Sequence, residues 1–181
     1  MRKLMTLTAI VLAMVFTNEI TAQEFSGLDK SPADIASYPA SGRVSDKKVK
    51  VVYSRPQLKG RSLADLAPAG KVWRTGANEA TEITFYEDVK VGDQTLKAGS
   101  YALFTIPGKD SWTIIFNNNL NQWGAFSYDD AADAARIEAK ASTGSEALEA
   151  FSIAFTDADN GANMVLGWGN SRVSVPITFA M

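Results

Sequence analysis

The sequence predicts an all-β fold: an antiparallel β-sandwich of jelly-roll-like arrangement, with a β-barrel as the alternative. Three observations predict it. From Val49 onward, apolar residues recur at every second position, which is the strand period. At least eight such stretches are short and regularly spaced, and turn-forming residues separate them. No repeat, long linker or low-complexity block divides the chain. Neither the alternation nor the number of turns decides between sandwich and barrel.

The chain opens on a targeting pattern. Met1-Arg2-Lys3 is basic, Leu4 to Phe16 is an apolar run broken only by Thr6 and Thr8, and Thr17 to Ala22 turns polar and ends small. This is the layout of a secretory signal peptide, residues 1–22, with cleavage after Ala22 leaving Gln23 as the new N-terminus. The run is too short for a bilayer, which takes ~20 residues. With no cysteine there is no lipid attachment at that terminus. Export to the periplasm or the outer envelope is the expectation, with no membrane span after cleavage.

Residues 23–48 read as a polar N-terminal arm, with a short helical turn begun by Ser31-Pro32. Residues 49–181 read as one β domain. Val49, Val51 and Tyr53 share one face of its first strand. Glu82 to Glu87 follows with Ile83 and Phe85. Asp88 to Lys97 is a small hairpin around Gly92-Asp93. Tyr101 to Ile106 and Ser111 to Asn117 form the strongest hairpin, joined by Pro107-Gly108-Lys109-Asp110. Ala131 to Ala141 is ambiguous, because its alanines favour helix while Ala135, Ile137, Ala139 and Ala141 alternate like a strand. The alternation favours a strand from about Ala134. Three further strands are expected at Ala150 to Thr156, Asn163 to Trp168 and Arg172 to Phe179. Pro176 marks the last as an edge strand or a bulge.

Composition excludes whole classes of chemistry. Removing Arg2, Lys3 and Glu19 from 18 basic and 20 acidic residues leaves 16 and 19, a net charge of −3. There is no basic excess to release counterions, so nucleic acid is not an expected partner. The chain has neither His nor Cys. That removes Ser-His-Asp and Cys-His catalysis, Cys/His zinc sites and disulfides. No cofactor is implied, and any chemistry falls to carboxylates, Lys, Tyr, Ser or Thr, or to a hard metal held by oxygens.

Two polar segments between strands are the candidate site: Tyr53 to Arg61 and Val72 to Thr81. They bring Arg55, Arg61, Trp73, Arg74, Asn78 and Glu79 into one excursion on a rigid scaffold, where binding groups collect. Arginine offers a planar fork for carboxylate or phosphate, and Trp73 a flat face for a sugar ring. The competing reading is structural, with Arg paired to Glu79 and stacked on Trp73 to pin a long loop.

These residues resemble a family. Tyr53-Ser54-Arg55-Pro56, Lys59-Gly60-Arg61 and Val72-Trp73-Arg74-Thr75-Gly76-Ala77-Asn78-Glu79-Ala80-Thr81 are similar to the signature of uncharacterised bacterial envelope proteins, common in Bacteroidetes and catalogued as a domain of unknown function. Ala98 to Pro107 and Asn121-Gln122-Trp123-Gly124-Ala125 match its later motifs. The resemblance runs from about Ser31 to the C-terminus. It implies an exported domain and brings no activity or catalytic residue with it.

Weaker signals complete the reading. Asp157 to Gly161 has the start of a calcium loop, but Gly161 stands where an oxygen ligand belongs and Trp168 where the bidentate Glu belongs. A plain hairpin turn is expected there, and a solvated loop at Asp129-Asp130 and Asp133. Trp112, Phe116, Phe151, Phe155, Trp168 and Phe179 fall on strand periodicity and are expected in the core. Trp123 lies in an Asn/Gln-rich loop, where it faces a ligand or closes the sandwich end. The function expected first is a non-catalytic binding module for a small polar or anionic ligand, a glycan or a protein surface. The alternatives are a structural or assembly protein and a hydrolase pairing Glu79 with Glu82 or Asp88.

Overall fold

The computed structural model describes residues 24–179. The predicted signal peptide lies outside the described residues. The strands are β1 (Ala33–Tyr38), β2 (Val49–Ser54), β3 (Thr81–Phe85), β4 (Val89–Val91), β5 (Gln94–Leu96), β6 (Gly99–Ile106), β7 (Ser111–Asn117), β8 (Asp133–Ala158) and β9 (Gly161–Phe179). One short helix, α1 (Leu63–Leu66), follows β2, and a 3-10 turn spans Asp130–Ala132. The helix starts on a capping box in which Ser62 and Asp65 bond each other's backbone N–H. No helix among the described residues is long and apolar enough to cross a membrane.

All nine strands join one antiparallel sheet in the order β1-β2-β3-β6-β7-β8-β9-β4-β5. The sheet is not closed, in keeping with the predicted sandwich. It folds over through its longest strand. The first part of β8, Asp133–Lys140, pairs with β7, and the part from Ala141 onward pairs with β9. The inward faces enclose one core that draws on every strand, from Val49 and Val51 of β2 to Val173, Val175 and Ile177 of β9. A second, smaller cluster of Ala80, Ala102, Phe104 and Ile115 lies on the outer face of β6 and β7. Leu120, Ala125 and Tyr128 of the β7–β8 loop cover it.

Two sequence expectations are corrected. Residues after Ser31-Pro32 form no helical turn. They form β1, in full register with β2 from Ala33↔Ser54 to Tyr38↔Val49. The free edge of β2 offers a complete ladder, which outweighs a weak local signal. Likewise, the strands expected at 134–141, 150–156, 163–168 and 172–179 are two long ones. They form a continuous pair whose register shifts between Thr143 and Leu148 and between Leu148 and Ser152. Arg172 holds that stretch together by donating to the carbonyls of Gly169, Ser171 and Glu146 at 3.0, 2.8 and 2.6 Å. A Cβ on Gly144 would sit 2.7 Å from the Arg172 guanidinium carbon, so glycine makes room for the arginine. β9 lies between β8 and β4 in the strand order, but around Pro176 it has no ladder partner on its β8 side, so the proline stands at a local edge as expected. Pro176 is tolerated because the ladder with β8 ends at Val173.

Candidate functional site

Val72 to Thr81 is positioned by β6 and β3. Trp73 exchanges backbone hydrogen bonds with Thr105 of β6, at 2.7 and 2.9 Å. Alternation along this extended stretch then sends Trp73 inward, while Val72 packs on the outer cluster. The chain turns back on itself after Arg74. The N–H of Thr81 donates to the Arg74 carbonyl at 3.1 Å, and the Thr81 hydroxyl to the Thr75 carbonyl at 2.7 Å. Thr75 and Asn78 hold positive φ of 54° and 60°. Gly76 lets the turn press on β2, since a Cβ there would meet the Ser54 carbonyl oxygen at 3.1 Å.

The turn is clamped from outside by the loop that follows β7. Ala80 donates its N–H to the Gln122 carbonyl at 2.8 Å, and Gly124 donates to the Asn78 carbonyl at 3.0 Å. Glu79 and Trp123 form an isolated antiparallel bridge. Directly opposed residues put their side chains on one face. The stretches at 72–81, 98–107 and 121–125, far apart in sequence, are therefore neighbours in space.

The six predicted residues do not share one cleft. Trp73 is 5% exposed and belongs to the core. It stacks on Trp168 with ring centroids 5.4 Å apart and meets Phe151 edge-on at 5.0 Å. Arg55 is used up by the fold. Its Nε donates to the Phe151 carbonyl at 3.0 Å, one terminal nitrogen to Asp34 at 3.0 Å and the other to the Ser152 hydroxyl at 2.7 Å. Arg61 donates to the carbonyls of Leu58 and Gln57, both at 2.9 Å, and so ties its own loop. The remaining three, Arg74, Asn78 and Glu79, stand on the turn that the Trp123 loop clamps.

Beside that turn lies an open depression of about 140 Å³, lined by Val52, Ser54, Glu79, Ala80, Glu82 and Asn121 among others. Glu82 accepts the Asn121 N–H at 2.9 Å and thereby fixes the loop over β3. Neither Glu79 nor Glu82 is in an ion pair among the described residues. Trp123, on the same face as Glu79, is 64% exposed. Ile35 and Val52, paired across β1 and β2, extend an exposed apolar strip away from the depression. Sequence reasoning singled out Glu79 and flagged Trp123. It missed Ser54 and Asn121 and named Glu82 only as a catalytic partner for Glu79, and the Asn121-to-Glu82 bond leaves no signal in sequence spacing.

Two electrostatic features frame the turn. The Arg74 guanidinium is half-buried, and loss of hydration pushes its pKa below the ordinary value. Its Nε is shut off from solvent and has no hydrogen-bond partner among the described residues. On the far side, Asp29 of the N-terminal arm is held below the ordinary carboxylate value by the Ser31 N–H and then by the Asn78 side chain. The loop itself is latched at its far end. Asp133 accepts from Asn117 at 2.8 Å, Tyr128 at 2.6 Å and Arg136 at 3.2 Å. Burial first, and this bond to Asp133 next, push the Tyr128 hydroxyl far above its ordinary pKa.

The other weak signals resolve simply. Asp159-Asn160 is the two-residue turn between β8 and β9, with Ala158 paired to Gly161. No group of three or more acidic side chains placed to hold a metal ion occurs among the described residues.

No curated protein and no solved structure matches the chain. The family profile for proteins of unknown function DUF2911 matches residues 31–177, most of the chain and all nine strands but the end of the last. The protein therefore belongs to the DUF2911 family.

Proposed function

We propose that the protein is an exported, non-catalytic binding module of the cell envelope, and that its ligand is a small polyhydroxylated molecule of the saccharide type. Export rests on the signal-peptide pattern of residues 1–22. The observation that carries the site is the opposed pair of Trp123, exposed, and Glu79, which lines the depression and is in no ion pair among the described residues. An exposed indole face beside a free carboxylate suits a sugar ring, whose C–H face stacks while its hydroxyls donate. Glu82, Ser54 and Asn121 supply further polar groups at the depression.

The four tryptophans make the test direct. Trp73, Trp112 and Trp168 are buried and Trp123 is not, so acrylamide quenching of fluorescence reports on Trp123. A panel of neutral, amino and acidic mono- and disaccharides is expected to contain members that protect it, and Trp123→Ala to abolish their calorimetric binding. Equal binding by wild type and Trp123→Ala would remove this surface from consideration.

Arg55 and Arg61 favour a second reading, a structural or assembly protein, because both spend their donors on holding loop to strand. Under it, no saccharide protects Trp123.

A further inference from the structure

The arginines of the sequence point to an anionic ligand, but the depression carries the opposite sign. Arg55 and Arg61 spend their donors on the fold, and no lysine or arginine among the described residues lines the depression. Two carboxylates line it instead, Glu79 and Glu82, and neither is in an ion pair among the described residues. The strand register explains how Glu82 comes to face it. Thr81 is buried at the start of β3, so alternation turns Glu82 outward, directly opposite the exposed Val52 of β2. Ala80, between the two acids in sequence, lines the depression with a bare methyl group. The Asn121 N–H occupies one of the two oxygens of Glu82.

The indole beside Glu79 favours the same sign of ligand. Glu79 and Trp123 are flanked by the bonds from Ala80 to the Gln122 carbonyl and from Gly124 to the Asn78 carbonyl, at 2.8 and 3.0 Å. That is the non-hydrogen-bonded kind of opposed pair, in which side chains stand closest. The indole is mostly exposed, and its face opens next to the Glu79 carboxylate. An aromatic face draws a cation through its ring quadrupole. An anion at the same place would meet repulsion from both acids and from the negative face of the ring.

We infer that the saccharide taken by this surface is an amino sugar with a free ammonium, its ring stacked on Trp123 and its ammonium donating to Glu79 and Glu82. This rests on the saccharide reading above and adds the charge. An ammonium has three N–H donors and no acceptor, so one group serves both acids at once. A hydroxyl in its place has a single proton to give and leaves the second carboxylate unanswered. Bonds between an ammonium and a carboxylate are also roughly twice as strong as bonds between neutral groups. N-acetylation of the sugar removes the charge and leaves one N–H, so it is the chemical change that this surface distinguishes.

The test is a calorimetric titration of the full chain with glucosamine oligomers, with the N-acetylated oligomers of the same length, and with glucuronate oligomers. Wild type is expected to bind the glucosamine series at least ~10-fold more tightly than the N-acetylated one, the order that two exposed carboxylates give an ammonium, and added salt is expected to weaken the advantage. E79Q and E82Q keep the size of the side chain and an acceptor oxygen, and each is expected to draw that ratio toward one. D93N removes an exposed charge from the turn between β4 and β5, outside the depression, and is expected to leave the ratio as in wild type. Equal affinity for the two series, or a ratio that D93N lowers as far as E79Q does, would overturn the inference and leave the saccharide reading standing. Tightest binding of the glucuronate series would do the same. Failure of every oligomer to bind wild type would overturn the saccharide reading itself, and the inference with it.

Discussion

Arginines show how little a residue's type says about its duty. Arg55 and Arg74 lie in similar polar stretches, and both offer a fork. One is spent on Phe151, Ser152 and Asp34, and the other makes no side-chain hydrogen bond among the described residues. Removing the first strands a carbonyl and a carboxylate at a partly buried junction. Arg55→Ala is expected to lower unfolding stability by ~1–2 kcal/mol in urea denaturation, with the slope against denaturant unchanged. The sequence showed that both residues belonged to a special excursion. It could not show that two of the partners of Arg55, Phe151 and Ser152, lie about a hundred positions away, on a strand that pairs elsewhere. Trp73 misled for a similar reason. A tryptophan between a valine and an arginine reads as a platform, until its backbone pairs with Thr105 and alternation turns it inward.

Elements were more legible than residues, because their signal is local and repeated. The hairpin of β6 and β7 follows from alternation around Pro107-Gly108, and the alanine-rich start of β8 follows from Ala135, Ile137 and Ala139 facing the core. Strand length was not legible. Glycine and serine between apolar runs look the same whether the chain turns or bulges, and only Arg172 and its carbonyls decide. The joint between β7 and β8 also carries a pH dependence. Glu138 accepts from Thr113 at 2.6 Å and Ser111 at 2.8 Å, and these bonds hold its pKa below the ordinary value of 4.5. A depressed carboxylate contributes stability above its unfolded pKa and loses it as pH falls through the folded one. Acid titration of the melting temperature is therefore expected to slope downward below about pH 4.5, and Glu138→Gln to make that slope shallower while lowering stability at neutral pH.

At the scale of the molecule, side chains do what backbone pairing leaves undone. The sheet stays open, yet Gln57 bridges to Ala150, and Leu58 donates to the Glu149 carbonyl at 3.0 Å. Beyond that point the seam is held by side chains. The Tyr53 hydroxyl accepts the Ile153 N–H at 3.1 Å, and Tyr38 donates to Asp157 at 2.9 Å. Tyr53→Phe leaves the Ile153 amide without a partner in a buried place. It is expected to cost ~1–2 kcal/mol and to speed hydrogen exchange at that amide ahead of its neighbours. This near-closure explains why the sequence left sandwich and barrel undecided. Both have the same alternation, and the difference lies in a few bonds across one gap.

The shared ownership of β8 has a consequence for how the protein fails. One uninterrupted strand serves β7 with its first part and β9 with its second, so neither layer has a boundary at which to part from the other. A pull on either end travels through the same backbone into both halves. Damage at the bulge stitched by Arg172 is then felt as loss of the whole barrier to rupture rather than as a local tear, and the turn and loop mounted on such a frame keep their shape until everything gives way at once.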